Sequence, residues 1–442
     1  MADFIADISR YPLTLLIALY TYWNFRYFGV REEKRRRICG RQAFLMYLLH
    51  FLAYGVMFLQ TQDWKLPVFY VIQAVFFWCY FACFRRFYPN RSHILVNNVC
   101  MLLCVGFIIL ARLSFEKAVR QFIIVVFSGA VTMVIPFIMD HIWQLGKIPW
   151  LYAILGLGLL LAVYSRGETS YGAQISLTVA GLSMQPSEFV KISFVFFTAA
   201  MFYRSTSRRQ VLVTTAVAAL HVLILAASKD LGSALLFFIT YVFLLFAATS
   251  NWKYLGLGIG GACLASAASW AMFSHVRVRV MAWLDPWADI DNRGYQIAQS
   301  LFAIGTGGWF GMGLFKGLPN RIPVVEKDFV FSAISEELGA LFAVCVLLIC
   351  LGCFLQFLMI GCRMEAMFYK LIALGLGTQY IVQVFLTAGG ATKFIPSTGV
   401  TLPFVSYGGS SILSTFILFS VIQGLYILKE NQEEEERYEA EY

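Results

Sequence analysis

Thirteen long apolar runs divide this chain of 442 residues, and no other feature constrains its fold as tightly. They lie near 12–28, 42–60, 66–84, 92–111, 120–139, 149–165, 188–203, 210–228, 233–249, 254–274, 330–358, 369–388 and 409–428. A helix needs roughly 20 apolar residues to cross the hydrocarbon layer of a bilayer. Hydrophobic residues make up 60% of the chain and charged residues 13%, against about 45–50% and about 25% in a soluble domain. So few charges cannot cover a water-facing surface. A soluble enzyme, a disordered protein and a disulfide scaffold are excluded. The fold class is all-α, a polytopic transmembrane helical bundle of about 13 spans. The start, MADFIADISRYPLTLL, has neither a basic n-region nor an A-x-A site, so the first run is expected to stay as a span.

Lysine and arginine set the orientation. The densest basic run, Arg31 to Arg37, is expected in the cytoplasm. With thirteen spans, Arg85, Arg86 and Arg91, then Arg204, Arg208 and Arg209, then Arg363 and Lys370 all fall on that same side. The N-terminus is then outside and the glutamate-rich tail, 429–442, inside. Arg112, Lys117 and Arg120 fall on the wrong side. The net charge of +9 points to the lipid bilayer and to anionic lipid or phosphate partners, with no nucleic acid expected. The 10 cysteines lie in apolar runs without a neighbouring charge to activate a thiol, so they read as helix lining.

The longest segment that does not span, 275–329, mixes Arg277, Arg279, Arg293, Lys316, Arg321 and Lys327 with Asp285, Asp289, Asp291, Glu326 and Asp328. The span count places it outside, where positive charge opposes the orientation rule. Long functional loops of this kind carry chemistry more often than short ones.

Ionisable groups at span edges are costly and call for a partner or a role. Glu188 and Lys191 open a span three residues apart and can pair. Asp230 can cap the next helix. Around Lys393, the run 396–411 holds two prolines and three glycines inside an apolar stretch, which means interrupted helix. Such backbone is tolerated at membrane depth only inside protein or along a wet cavity. Asp328 stands at the lip of a span, with Glu336 and Glu337 two turns further in. Burial pushes such a carboxyl up and Lys327 pulls it back, which suits a general base; an N-cap is the other reading. No G-x-x-x-x-G-K-[ST], H-E-x-x-H or G-x-S-x-G pattern occurs, which disfavours nucleotide-driven and zinc chemistry.

Five segments, in order, resemble the SEDS family of membrane proteins, the RodA/FtsW/SpoVE group of cell-wall glycosyltransferases. They are QPSEFVK (185–191), DLGSA (230–234), RVMAWLDPWADIDNRGYQIAQSLFAIGTGGWFGMG (279–313), DFVFSAISEELG (328–339) and PSTGVTLPFVSYGGSS (396–411). The resemblance implies a ten-span core over 92–428, preceded by three extra spans in 1–91, with a large extracellular loop, 275–329, before the eighth core span. It implies a multi-pass protein of the bacterial cell membrane that polymerises lipid II and releases undecaprenyl pyrophosphate. Asp328 falls on the family's proposed catalytic base. Arg279 and Lys191 are then candidates to offset pyrophosphate charge, and Glu188, Asp285, Gln296, Ser406 and Lys393 to contact substrate. No tightly bound cofactor is implied, although a divalent cation, Mg or Mn, could share the pyrophosphate charge; the metal ligands are unknown. The implied partner is a class B penicillin-binding protein, a single-span transpeptidase.

The chain also departs from the family pattern. The family's L-P-E-x-H-T-D-F is Ile322-Pro-Val-Val-Glu-Lys-Asp328-Phe here, so its Glu, His and Thr are lost. Lys229 replaces a proline, Thr387 an asparagine and Lys393 a glycine, while Gln383 matches. Two other functions stay open: a flippase for a lipid-linked cell-wall precursor, and a non-catalytic scaffold for a transpeptidase.

Overall fold

The computed structural model describes residues 2–141, 143–170, 173–179 and 182–441. Helices α1 (Ala2–Arg26), α2 (Glu32–Thr61), α3 (Lys65–Phe87), α4 (His93–Leu113) and α5 (Phe115–Thr132) come first. Then follow α6 (Ile135–His141), α7 (Pro149–Arg166), α8 (Ser187–Arg204), α9 (Arg208–Ala227), α10 (Leu231–Thr249) and α11 (Trp252–Met272). The long loop contains α12 (Ser274–Leu284) and α13 (Tyr295–Gly307). The chain ends with α14 (Val330–Glu337), α15 (Ala340–Arg363), α16 (Met367–Ala391) and α17 (Gly409–Glu441).

Among the described residues, eleven helices are long and apolar enough to cross a membrane, α5 and α6 counting as one. The runs 12–28 and 188–203 fall on α1 and α8, which miss that standard. In α8 the reason is charge, since Glu188, Lys191 and Arg204 share eighteen residues. The run 330–358 is broken: α14 ends at Glu337, Gly339 takes φ +98°, and α15 starts at Ala340. The fold is helical as expected, with one small antiparallel sheet between α7 and α8, of β1 (Glu168–Ser170), β2 (Ala173–Val179) and β3 (Leu182–Met184). Its signal is short: Gln174, Ser176 and Thr178 alternate with Ile175, Leu177 and Val179.

The chain packs as two compact units. The first comprises residues 1–130, 278–353 and 384–408. Its interior is α4, in which every residue from Ile94 to Ala111 is buried. A helix apolar on all sides belongs inside. Polar groups stitch α1 to it: Tyr20 Oη donates to Asn98 (2.9 Å), and Asn98 Nδ2 donates to Asn24 (2.9 Å). Gly106 of α4 has backbone against it, and a Cβ there would meet the carbonyl oxygen of Phe404 at 2.7 Å.

The second unit comprises residues 131–277, 354–383 and 409–442. Here α8 packs on α7, α9, α10 and α17. Helix α11 has no buried residue, which leaves its apolar faces for lipid. The acidic tail continues α17 as helix, and Arg363 donates to Glu430 and Glu433, each at 2.7 Å. All ten cysteines are free thiols.

The three cations that oppose the orientation rule are all paired. Arg112 binds Glu337 at 2.8 Å and donates to the carbonyl of Gly317 at 3.2 Å. Lys117 pairs with Glu326, and Arg120 with Glu116 at 2.5 Å. The first pair is deeply placed, with side chains 11% and 1% exposed, whereas the third is 66% and 75% exposed. Removing one partner of a buried pair leaves an uncompensated charge, which costs about 3–5 kcal/mol. An exposed pair contributes about 0–1 kcal/mol. Arg112→Leu should therefore lower the unfolding temperature of the purified protein substantially, and Arg120→Ala should leave it nearly unchanged. Equal melting curves for the two variants would contradict this ranking.

Candidate catalytic site

Asp328 lies in the first unit, on irregular backbone two residues before α14. It is half-buried. Two hydrogen bonds fix the residues before it. The backbone N–H of Tyr407 donates to the carbonyl of Glu326 (2.7 Å), and Ser406 Oγ donates to the carbonyl of Lys327 (2.5 Å). The same Ser406 Oγ accepts from the N–H of Leu402 at 2.9 Å. Ser406 thus acts on the path of the backbone.

The 391–408 segment that carries these donors is held from several helices. Gln121 of α5, 1% exposed, donates Nε2 to the carbonyl of Ser406 (2.9 Å) and accepts from the N–H of Gly408 (3.2 Å). Thr387 Oγ1 donates to the carbonyl of Val400 at 2.8 Å. Trp283 Nε1 donates to the carbonyl of Lys393 at 3.1 Å. Gly106 supplies the clearance described above.

Arg279 of α12 reaches the same place. Its Nη1 donates to the carbonyl of Ser397 at 3.2 Å. Beside both charged groups lies Gly399, with φ +77°. A Cβ on it would lie 3.7 Å from Asp328 Oδ2 and 3.8 and 3.9 Å from the Arg279 guanidinium nitrogens. Glycine here serves both the left-handed backbone and the open space beside the pair.

Burial pushes the Asp328 carboxyl up to about 6, against the pull of Arg279 and Lys327. Glu326 adds a smaller push in the same direction. For Glu326 itself burial pushes upward, yet the hydrogen bond and charge of Lys117 hold its carboxyl below the usual range. One carboxyl is therefore raised by burial while a lysine lowers its neighbour. That contrast separates a proton acceptor from a structural anion.

Glu188 and Lys191 lie in the second unit. Lys191, 2% exposed, donates to Glu188 (2.6 Å) and to Gln383 (3.0 Å). Ser414 also donates to Glu188, at 2.7 Å. The charge pair is thus fully engaged within its own unit. Asp230 caps α10, accepting from the N–H of Ser233 at 3.2 Å, and accepts from Ser187 at 3.1 Å.

Of the other substrate-contact candidates, Asp285 is exposed and accepts from the N–H of Trp287 at 3.0 Å. Gln296 donates to the carbonyl of Pro323 at 2.9 Å. Lys393 takes φ +61°, the left-handed region, at the position where the family pattern carries glycine. Lys229 takes φ +63°, a value that the proline of the family pattern could not adopt.

Gln121, Lys117 and Thr387 escaped the sequence reading as parts of this site. Their signals were a lone amide in an apolar run, a lysine on the wrong side and a departure from the family pattern. The donors around Asp328 do not fit a resident divalent cation. Arg279 and Lys327 bear on it, and Glu326 is committed to Lys117. Among the described residues no group of three or more His, Cys, Asp or Glu could hold a metal ion.

Infrared titration of the carboxyl band, assigned by Asp328→Asn, should find the Asp328 midpoint near 6. Arg279→Gln removes a cation that favours the charged form, so the midpoint should rise. Because this folded-state value lies above the ordinary one, the stability it contributes is present at low pH and is lost as pH rises through about 6. A midpoint unmoved by Arg279→Gln would contradict the assigned neighbour.

A family model described as cell cycle protein, that of FtsW, RodA and SpoVE, matches residues 92–431. The peptidoglycan glycosyltransferase RodA of Mycobacterium tuberculosis is 31% identical over 396 residues, covering 82% of this chain and 84% of the relative. The probable peptidoglycan glycosyltransferase FtsW of Saccharophagus degradans is 33% identical over 367 residues, with 77% and 94% covered. Among solved structures, Thermus thermophilus RodA matches at 21% identity and a TM-score of 0.56, covering 76% of this chain and 96% of its own. A chain of a peptidoglycan synthase complex, described as coordinating polymerization and crosslinking, matches at 24% identity and a TM-score of 0.63, with 77% and 98% covered. The protein is an integral membrane protein of the bacterial inner membrane and belongs to the FtsW/RodA/SpoVE family.

Proposed function

We propose that the protein is a peptidoglycan glycosyltransferase that polymerises lipid II into glycan strands at the outer face of the membrane, with Asp328 as general base. The observation that carries this reading is the Asp328 carboxyl, raised to about 6 by burial, on tethered backbone and beside Arg279. A base works best when its pKa lies near the working pH. The Asp328 carboxylate takes the proton of an acceptor sugar hydroxyl. That oxygen forms the β-1,4 bond to the donor's anomeric carbon as the bond to the pyrophosphate oxygen breaks. Undecaprenyl pyrophosphate leaves with the electron pair. Arg279, always charged, is placed to offset the developing phosphate charge. Lys191 is the second candidate for that task, within its own unit. A divalent cation, Mg or Mn, would arrive on the pyrophosphate of the lipid substrate. The expected partner is a class B penicillin-binding protein, a single-span transpeptidase that would cross-link the strands.

Purified protein should polymerise lipid II, and Asp328→Ala should lower the rate by about 100-fold or more, the usual contribution of a positioned base. Equal strand yield from both would reject the assigned role. Lipid translocation in vesicles that persists in Asp328→Ala, with no polymer formed by wild type, would instead support a flippase. Ser406→Ala keeps the base but loosens its backbone. A displacement of about 1 Å can cost about 100-fold, so kcat should fall by about 10–100-fold with KM nearly unchanged.

A further inference from the structure

The three helices ahead of the family-matched region carry a second charged cluster. α2 begins, α3 ends and α4 begins at one end of the first unit, joined by short connections. Arg35, Arg36, Arg85 and Arg91 gather there. Arg91 is only 8% exposed, and its Nη1 donates to the carbonyls of Tyr88 (3.2 Å) and Phe84 (3.4 Å). Arg35 lies over the ring of Tyr27 at 5.2 Å, and its buried Nε has no partner. Among the described residues none of the four is ion-paired to a carboxylate. Burial first, then Arg85 and Arg36, pull the Arg91 guanidinium down to about 10. His93 stands within the field of the same three arginines. At the same end Tyr27, Ile38, Cys39 and Ile94 form a buried apolar cluster.

An arginine that only sets orientation is exposed and free to spread from its neighbours, as Arg208 and Arg209 are. Here like charges crowd a buried guanidinium that has only carbonyls for partners. That arrangement is unfavourable unless an anion completes it. Guanidinium forks match phosphate geometry. The orientation rule puts this end at the cytoplasmic leaflet, where anionic headgroups concentrate. A soluble phosphate would reach this end only from bulk water, whereas the orientation rule sets it at the level of the lipid headgroups.

We propose that Arg35, Arg36, Arg85 and Arg91 bind the phosphate of an anionic phospholipid at this end of the first unit. This gives the three preceding helices a lipid-recognition role that does not depend on the reaction at Asp328.

The test uses the full chain, purified in neutral detergent and titrated with phosphatidylglycerol, phosphatidylcholine or inorganic phosphate. Native mass spectrometry counts retained lipid and thermal unfolding reads stabilisation. Wild type and an Arg208→Gln/Arg209→Gln control should retain phosphatidylglycerol and gain stability from it, but not from phosphatidylcholine. Arg36 and Arg85 are exposed, so Arg36→Gln and Arg85→Gln should fold. Each should weaken phosphatidylglycerol binding about fivefold, the usual effect of one basic residue near the membrane surface. Arg91→Gln should abolish retention and Arg91→Lys restore part of it. Undiminished binding in the Arg36→Gln/Arg85→Gln double variant would overturn the site. Stabilisation by inorganic phosphate equal to that by phosphatidylglycerol would overturn the lipid assignment.

Discussion

Asp328 sits on irregular backbone, where no helical ladder fixes its direction, and the hydrogen bonds from Tyr407 and Ser406 to the two residues before it supply that direction. A reacting group must be held to a fraction of an ångström, and that precision comes from its supporting shell. Here the shell is layered. Ser406 and Tyr407 grip the 326–327 backbone, Gln121 grips Ser406 and Gly408, and Gly106 of the buried helix α4 lets the segment come close. Membrane-depth backbone without helix must be satisfied by protein, and these contacts satisfy it. The same contacts that make the broken segment tolerable aim the carboxyl.

Charge follows a similar economy. Arg112 and Lys117 conflict with the orientation rule in a linear reading. In the fold, Arg112 pairs with Glu337 and Lys117 with Glu326. Lys117 holds the Glu326 carboxyl below its usual range, and that charge adds to the upward push on Asp328. Arg279 and Lys327 oppose the push. The near-neutral carboxyl is the balance of burial against two cations.

The spans were readable because hydropathy and length act locally, and eleven of the thirteen runs became helices fit to cross a membrane. The break at Gly339 was hidden inside a continuous apolar run, since only its φ of +98° betrays it. The small sheet between α7 and α8 was hidden because its alternation covers so few residues. Asp328 and Arg279 stand out through their motif segments, and the structure brings both beside Gly399. The resemblance points to Ser406 as a substrate contact, and in the fold its hydroxyl bonds to the backbone of Lys327 and Leu402. Gln121 was not found at all. Its partners lie 285 and 287 residues away, a separation that no periodicity or spacing argument can bridge. Lys393 and Lys229 read as odd substitutions until their left-handed φ values explained what each position demands.

The most direct test of the central claim is the pH dependence of kcat/KM for lipid II polymerisation, which reports the base in the free enzyme. If the Asp328 carboxylate accepts the proton, the rate should climb with pH through a midpoint near 6 and level off above it. In Arg279→Gln the rise should move to higher pH, as the carboxyl's own titration does. A wild-type profile that stays flat through that window, or a rise that ignores the loss of Arg279, would contradict the account.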